Sequence, residues 1–162
     1  MDICIPEVGG FKKCVSIITK LLPLVQEKLT EQNVTIILEI PDDLPPVEID
    51  PELMRNCLVN FITNAAQSMS EGGTVTLGAT YDHETDQFRL TIADEGGGIA
   101  PDDLEKIFQP YFTTKEAGIG LGLAITERIV KEHRGTIVVT SEIGRGTLFA
   151  VVLPRNLRRD EV

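Results

Sequence analysis

Three sets of residues have the types and spacing to do chemistry. Gly118, Gly120 and Gly122 run straight into LAITERIVKEH, and Leu121 just before it with Ala124, Ile125 and Ile129 within it follow helical spacing. A glycine loop entering a helix N-terminus can cradle an anion, because the first amides lack partners and the dipole is positive there. It can equally be a flexible turn. Asn56, Asn60 and Asn64 recur at four-residue steps in IDPELMRNCLVNFITNAAQSMSEGG, which puts them on one helix face. Asparagine lies about half a kilocalorie per mole or more below alanine as a helix former. The stripe is therefore either a solvated polar face or a row of neutral amides turned towards a phosphate and its metal. Asp94 heads a second glycine cluster, Gly96 to Gly98, and Lys115 stands in the aromatic segment between the clusters. Glycine permits close backbone approach at an entropic cost, so six of them between Ala93 and Leu123 imply a role other than stability.

The commoner nucleotide loops are absent. No glycine is followed by lysine, which excludes a Walker loop. Counting a GxGxxG from Gly118 lands on Leu123, and from Gly96 on Pro101. The HRD and DFG triplets of protein kinases are missing as well. A nucleotide site here would be of another kind.

Positioning these residues falls to elements the pattern suggests. Val8, Phe11, Val15, Ile18, Leu22, Val25 and Leu29 step by threes and fours, predicting an amphipathic helix over Val8 to Leu29 that Pro23 should kink or divide. VTIILEI at 34–40 predicts a strand, stopped by prolines 41, 45 and 46 before a short extended VEI. Asp50 followed by Pro51 is a helix start, and Gly72 with Gly73 a stop. TVTLGATYD and FRLTIAD predict a hairpin that delivers Asp94 at a strand end, and TIVVTSE and TLFAVVLP predict another across IGRG. Gly135 reads as a helix C-cap. This order suggests a sheet with helices on one face.

The 162 residues fit one domain with a real core. Fifteen basic against 25 acidic residues, a net charge of -10, argue against nucleic acid or an anionic membrane as the main partner. An anion site in so acidic a chain needs aimed amides, a lysine and a divalent metal. Cys4, Cys14 and Cys57 have no pairing or zinc-ligand spacing, so reduced thiols are expected, with Cys57 in the core. No apolar run reaches the ~20 residues that cross a bilayer, and no signal peptide is expected.

Five stretches in register resemble the ATP-binding catalytic domain of sensor histidine kinases, in the GHKL superfamily. NFITNAAQSM is similar to the N box, DEGGGI to the first glycine box, IFQPYFTTK to the phenylalanine box, GIGLGL to the second glycine box and GTLFAVVLP to the closing strand motif. The resemblance implies an α/β (α+β) two-layer sandwich, a mixed and mostly antiparallel sheet with three helices on one face, the Bergerat-type ATP-binding fold. It divides the chain into a connecting helical segment at 1–32, an ATP-binding core at 33–154 and a tail at 155–162. It implies ATP and Mg²⁺ as ligands, with Asn64 on the metal and Asn60 assisting. Asp94 would accept the hydrogen bond of the adenine amino group, with Gly96, Gly98 and Ile99 beside the base and Thr147 supporting through water. Gln109 to Ala117 would form a lid carrying Lys115 to the phosphates, anchored by Phe108 and Phe112. Gly118, Gly120, Leu121 and Gly122 would line the phosphates. Two positions depart from the family pattern: Ile119 replaces a frequent threonine, and Gln67 stands where many members carry lysine, so one phosphate contact is missing.

Asn60 chooses within the superfamily. Clamp ATPases and anti-sigma serine kinases typically carry glutamate there, a base that water or serine needs, whereas a histidine attacks through a neutral ring nitrogen. The expectation is a histidine kinase domain; the alternatives are a serine kinase of the anti-sigma type and an ATP-sensing module without transfer. His83 and His133 lack the acceptor context and read as ordinary surface histidines. The target histidine is therefore expected on a dimerisation helical hairpin upstream in a longer parent, with a response regulator as second partner. The domain alone should be monomeric and cytoplasmic, the parent homodimeric and anchored in a membrane or not.

Overall fold

The computed structural model describes residues 12–116 and 118–156. Helix α1 spans Lys12–Glu31 and buries Ile18, Val25 and Leu29 of the expected stripe together with Ile17 and Leu21, while Leu22 is half-buried; residues 8–11 of the expected helix lie outside the described residues. Pro23 does not divide it. Leu21 and Val25 on either side are buried, and burying two such side chains offsets the roughly 3 kcal/mol that an internal proline costs.

Strand β1 (Val34–Glu39) follows. The expected extended VEI is not a strand: Val47 and Ile49 are buried, and between them Glu48 N donates to Arg155 O at 2.9 Å. Proline at 45 and 46 removes the donors a ladder would need. Helix α2 (Pro51–Gln67) starts as its sequence dictates, with Asp50 Oδ1 accepting from the amides of Glu52 and Leu53 at 3.0 and 3.1 Å. It buries Met54, Cys57, Leu58, Phe61, Ile62, Ala65 and Ala66, leaving its asparagines half-buried or exposed.

Strands β2 (Gly73–Asp82) and β3 (Gln87–Asp94) form the first hairpin. A single helical turn, α3 (Pro101–Leu104), was not foreseen; Pro101 at its first position with Asp102 and Asp103 behind it explains it. Helix α4 (Gly122–Glu132) leads into the second hairpin, β4 (Thr136–Glu142) and β5 (Gly146–Pro154). The sheet order is β1-β2-β3-β5-β4, and β1 on β2 is the one parallel pair. Helix α2 makes the crossover between those two strands. It lies between α1 and α4, with Phe61 against Phe149 of the sheet at 4.9 Å between ring centroids. The expected mixed two-layer sandwich is the architecture found, with α3 added.

His133 requires a correction. It is only 3% exposed; its Nε2 accepts from the Asp50 amide at 2.9 Å and its Nδ1 lies 2.8 Å from the Ile129 carbonyl. An acceptor role at Nε2 puts the ring proton on Nδ1, so the imidazole is neutral and ties the end of α4 to the start of α2.

Candidate functional site

The site begins where β3 ends. Asp94 pairs in register with Thr147 of β5, and its Oδ1 accepts from the Gly96 amide at 2.9 Å and lies 3.3 Å from Ser68 Oγ. The glycine loop after it is clamped on both sides, Gly97 N donating to Ser68 O and Gly97 O accepting from Gly144 N. Gly98 has φ +76, and a Cβ there would stand 2.3 Å from the Glu142 carbonyl, so only glycine fits. Gly96 is buried against Ser68. The Ile99 amide donates to Ser141 Oγ at 2.8 Å, and Thr147 Oγ1 is 2.8 Å from the same hydroxyl. Ser141 thus holds the loop and Thr147 together.

Across from this loop the asparagine stripe separates. Asn56 is exposed and lies apart from the contacts that Asn60 and Asn64 make among the described residues. Asn60 Nδ2 donates to the Gly122 carbonyl and Thr126 Oγ1, both at 3.2 Å, which fixes the first turn of α4. Asn64 Oδ1 accepts from Lys115 Nζ at 3.3 Å, and the same ammonium donates to Gln67 Oε1 at 2.7 Å. The sequence separation between Asn64 and Lys115 makes this contact the link between helix and lid.

The lid runs back to α4 through the second glycine loop. Tyr111 N donates to Gly120 O at 2.8 Å. Gly120 has φ +76, and a Cβ on it would come within 2.5 Å of the Tyr111 carbonyl carbon. Phe108 and Phe112 pack half-buried on the core, while Ala117 lies outside the described residues. The Gly118 amide is bonded to the Lys115 carbonyl at 3.1 Å. Leu121 is the N-cap of α4 and its side chain forms no cap bond, leaving the amides of Gly122, Leu123 and Ala124 without helical partners.

Burial sets the electrostatics. Desolvation raises the Asp94 carboxyl above the usual carboxylate range, opposed by the amides of Gly96 and Thr147, the Ser68 hydroxyl and the charge of Lys115. Desolvation lowers the Lys115 ammonium from its usual value, opposed by Asp94. The two charges sense each other without an ion pair between them among the described residues. A half-buried carboxylate whose hydrogen-bond partners are neutral dipoles suits a neutral N–H donor better than a second charge.

Ser68, Ser141 and Thr126 were not singled out by the sequence. Ser68 lies four residues beyond Asn64 and so shares its face; Thr126 lies four beyond Gly122, whose carbonyl its hydroxyl meets at 2.9 Å, a helical back-bond readable from spacing. Ser141 carried no signal of its own, because its partners are Ile99 in the loop after β3 and Gly146 and Thr147 of β5.

Residues 49–157 match the family model of the "Histidine kinase-, DNA gyrase B-, and HSP90-like ATPase". The chain is 34% identical over 152 residues to sporulation kinase E of Bacillus subtilis, covering 93% of this chain and 20% of that protein. It is 38% identical over 145 residues to the sensor histidine kinase ZraS of Salmonella typhi, covering 90% and 31%. The chain thus spans between a fifth and a third of these relatives. Among solved structures, the catalytic domain of the histidine kinase ThkA superposes with TM-score 0.78 at 28% identity, over 90% of this chain and 94% of that one. ThkA in complex with the response regulator protein TrrA matches with TM-score 0.75 at 26% identity, over 90% and 41%. No helix among the described residues is long and apolar enough to cross a membrane. With residues 49–157 matching that family model and the fold shared with these relatives, the chain belongs to the family of histidine kinase-, DNA gyrase B- and HSP90-like ATPases, as the ATP-binding catalytic domain of a sensor histidine kinase.

Proposed function

We propose that this domain binds Mg-ATP between the Asp94 loop and the lid and hands the γ-phosphoryl group to a histidine of a helical hairpin elsewhere in its parent, which passes it to a response regulator. The observation that carries the nucleotide reading is Asp94, a half-buried carboxylate held by the Gly96 amide and free of ion pairs among the described residues. Such a group accepts from an exocyclic amino group, which selects adenine over bases that present a carbonyl there. Gly98 keeps the chain close enough for the base to pass, and Ser141 keeps Ile99 and Thr147 in place.

Magnesium is tested against the donor set. No group of three or more His, Cys, Asp or Glu among the described residues could hold a metal, so the protein alone offers no cage. Asn64 Oδ1 is one neutral oxygen, and it already attracts a cation, the Lys115 ammonium. That fits an ion that keeps most of its shell in phosphate oxygens and water and takes a single protein ligand. When bound, such an ion neutralises charge on the phosphates. Asn64 orients, Lys115 offers its positive charge, and the uncapped amides of α4 with the backbone of Gly118, Gly120, Leu121 and Gly122 face the same anion. Because the Gly118 amide is bonded within the lid, it must exchange that partner to contribute.

Histidine as acceptor is supported by position 60, where an amide stands and no base is offered, and by the sensor histidine kinases among the relatives. Residues 33–154 would be the catalytic core, 1–32 the connection to the hairpin, and 155–162 the tail, in a cytoplasmic portion of the parent. His133 is spent within the core, consistent with an acceptor elsewhere. The test is to incubate the parent protein with ATP labelled on the γ-phosphate. An acid-labile, alkali-stable label is expected; an acid-stable label or phosphate release alone overturns the reading.

A further inference from the structure

Lys115 is half-buried, and an ammonium withdrawn from water needs compensating hydrogen bonds. It finds two, Gln67 Oε1 at 2.7 Å and Asn64 Oδ1 at 3.3 Å. Both acceptors are uncharged amides one helical turn apart on α2, so they form a fork on one face. An ammonium has three protons, and these two contacts leave one for an anion. Carboxylates in the same places would cancel the charge; neutral amides hold the ammonium and leave its charge to act. The two contacts are not equivalent. Asn64 Oδ1 is the oxygen that the metal would take under the proposed function, and the 3.3 Å contact is the longer one. Gln67 keeps its hold when Asn64 is recruited.

From this fork we infer that Gln67 is a positioning residue for the triphosphate: it anchors the lid lysine so that its ammonium stands at the phosphates, through the swap at Asn64. The inference rests on the proposed ATP site and deepens it. The lid supplies the cation and the helix aims it. Gln67 touches no reacting atom in this arrangement and acts only through Lys115.

The experiment is calorimetric titration of the chain with a non-hydrolysable ATP analogue and Mg²⁺, and separately with adenosine. Gln67→Ala and Lys115→Ala should each weaken the triphosphate roughly ten- to a hundredfold, the worth of a hydrogen bond to a charged group. The double variant should be no weaker than Lys115→Ala alone, and adenosine should bind all of them alike. Gln67→Glu keeps an acceptor but pairs the charge, so its loss should match that of Lys115→Ala. Gln67→Lys in the Lys115→Ala background should restore triphosphate binding, since the charge then comes from the helix. Gln67 is exposed, and thermal unfolding checks that each variant folds. Additive losses, wild-type affinity in Gln67→Ala or Gln67→Glu, or no restoration by Gln67→Lys overturns the inference while ATP binding by the unaltered chain leaves the site standing. Failure of the unaltered chain to bind any nucleotide overturns both.

Discussion

Asn60 gives its side-chain N–H to the carbonyl of Gly122, 3.2 Å away, and so joins the middle of α2 to the first residue of α4. The amide at this position is a donor in use, and its second bond, to Thr126 Oγ1, depends on the same nitrogen.

Asn60→Glu therefore exchanges two donor contacts for a carboxylate beside a carbonyl. The nucleotide-free protein is expected to lose about 1–3 kcal/mol, measured by urea unfolding. If a base here separates hydrolysis from transfer to histidine, slow phosphate release from ATP should rise at the same time. An unchanged release rate in a folded variant would count against the acceptor argument drawn from Asn60.

Asp94→Asn should uncouple stability from binding. Burial raises the Asp94 carboxyl, so the folded protein still holds a proton there when the unfolded chain has released its own. Stability from this group falls as pH rises from the ordinary carboxylate range through the raised value. Lys115, whose ammonium burial lowers, contributes in the opposite sense, its cost easing as pH rises from the lowered value to the ordinary lysine range. Removing the Asp94 charge should leave the nucleotide-free Tm at neutral pH equal or higher, with less dependence on acid pH, and abolish the shift that ATP produces. Wild-type stabilisation by ATP in this variant would remove Asp94 from the site.

His133→Ala should cost about 2–4 kcal/mol in urea, since the Asp50 amide loses its partner and a buried ring leaves a void. Phosphorylation of the parent, normalised to folded protein, should persist, because neither ring nitrogen is available as an acceptor. Loss of label from a folded His133→Ala parent would show that ring to be chemically active.

Cys57 should be inert. Burial pushes its thiol up to about 12, and thiolate is the reactive form. Alkylation mapped by mass spectrometry should leave Cys57 unmodified in the native chain and modify it fully in urea. Rapid native labelling would mean that α2 opens far more readily than its packing indicates.

Local patterns in the chain carried the fold well, because its elements are bounded by residues with one structural meaning: Asp50-Pro51 opens α2, Gly72 at φ +87 follows its end, and alternation marks the hairpins. The glycine clusters, the asparagines and Asp94 announced the site through residue type. Tertiary relationships were not legible. Pro23 is accommodated by packing on either side, VEI forms no strand although Glu48 N bonds to Arg155 O, and the buried His133 ring accepts from an amide eighty-three residues away. Gln67 read as a lost contact because its partner, Lys115, arrives from the lid.

The bond from Tyr111 to the Gly120 carbonyl makes the intervening segment a ring closed at its neck. While that bond holds its ends stay together, and rearrangement under it would fall within a short loop. Motions of that kind run on nanosecond to microsecond scales, much faster than ordinary turnover. The capture of nucleotide by this domain would then be limited by encounter and by exchange at Asn64, and the loop would follow the ligand without delaying it.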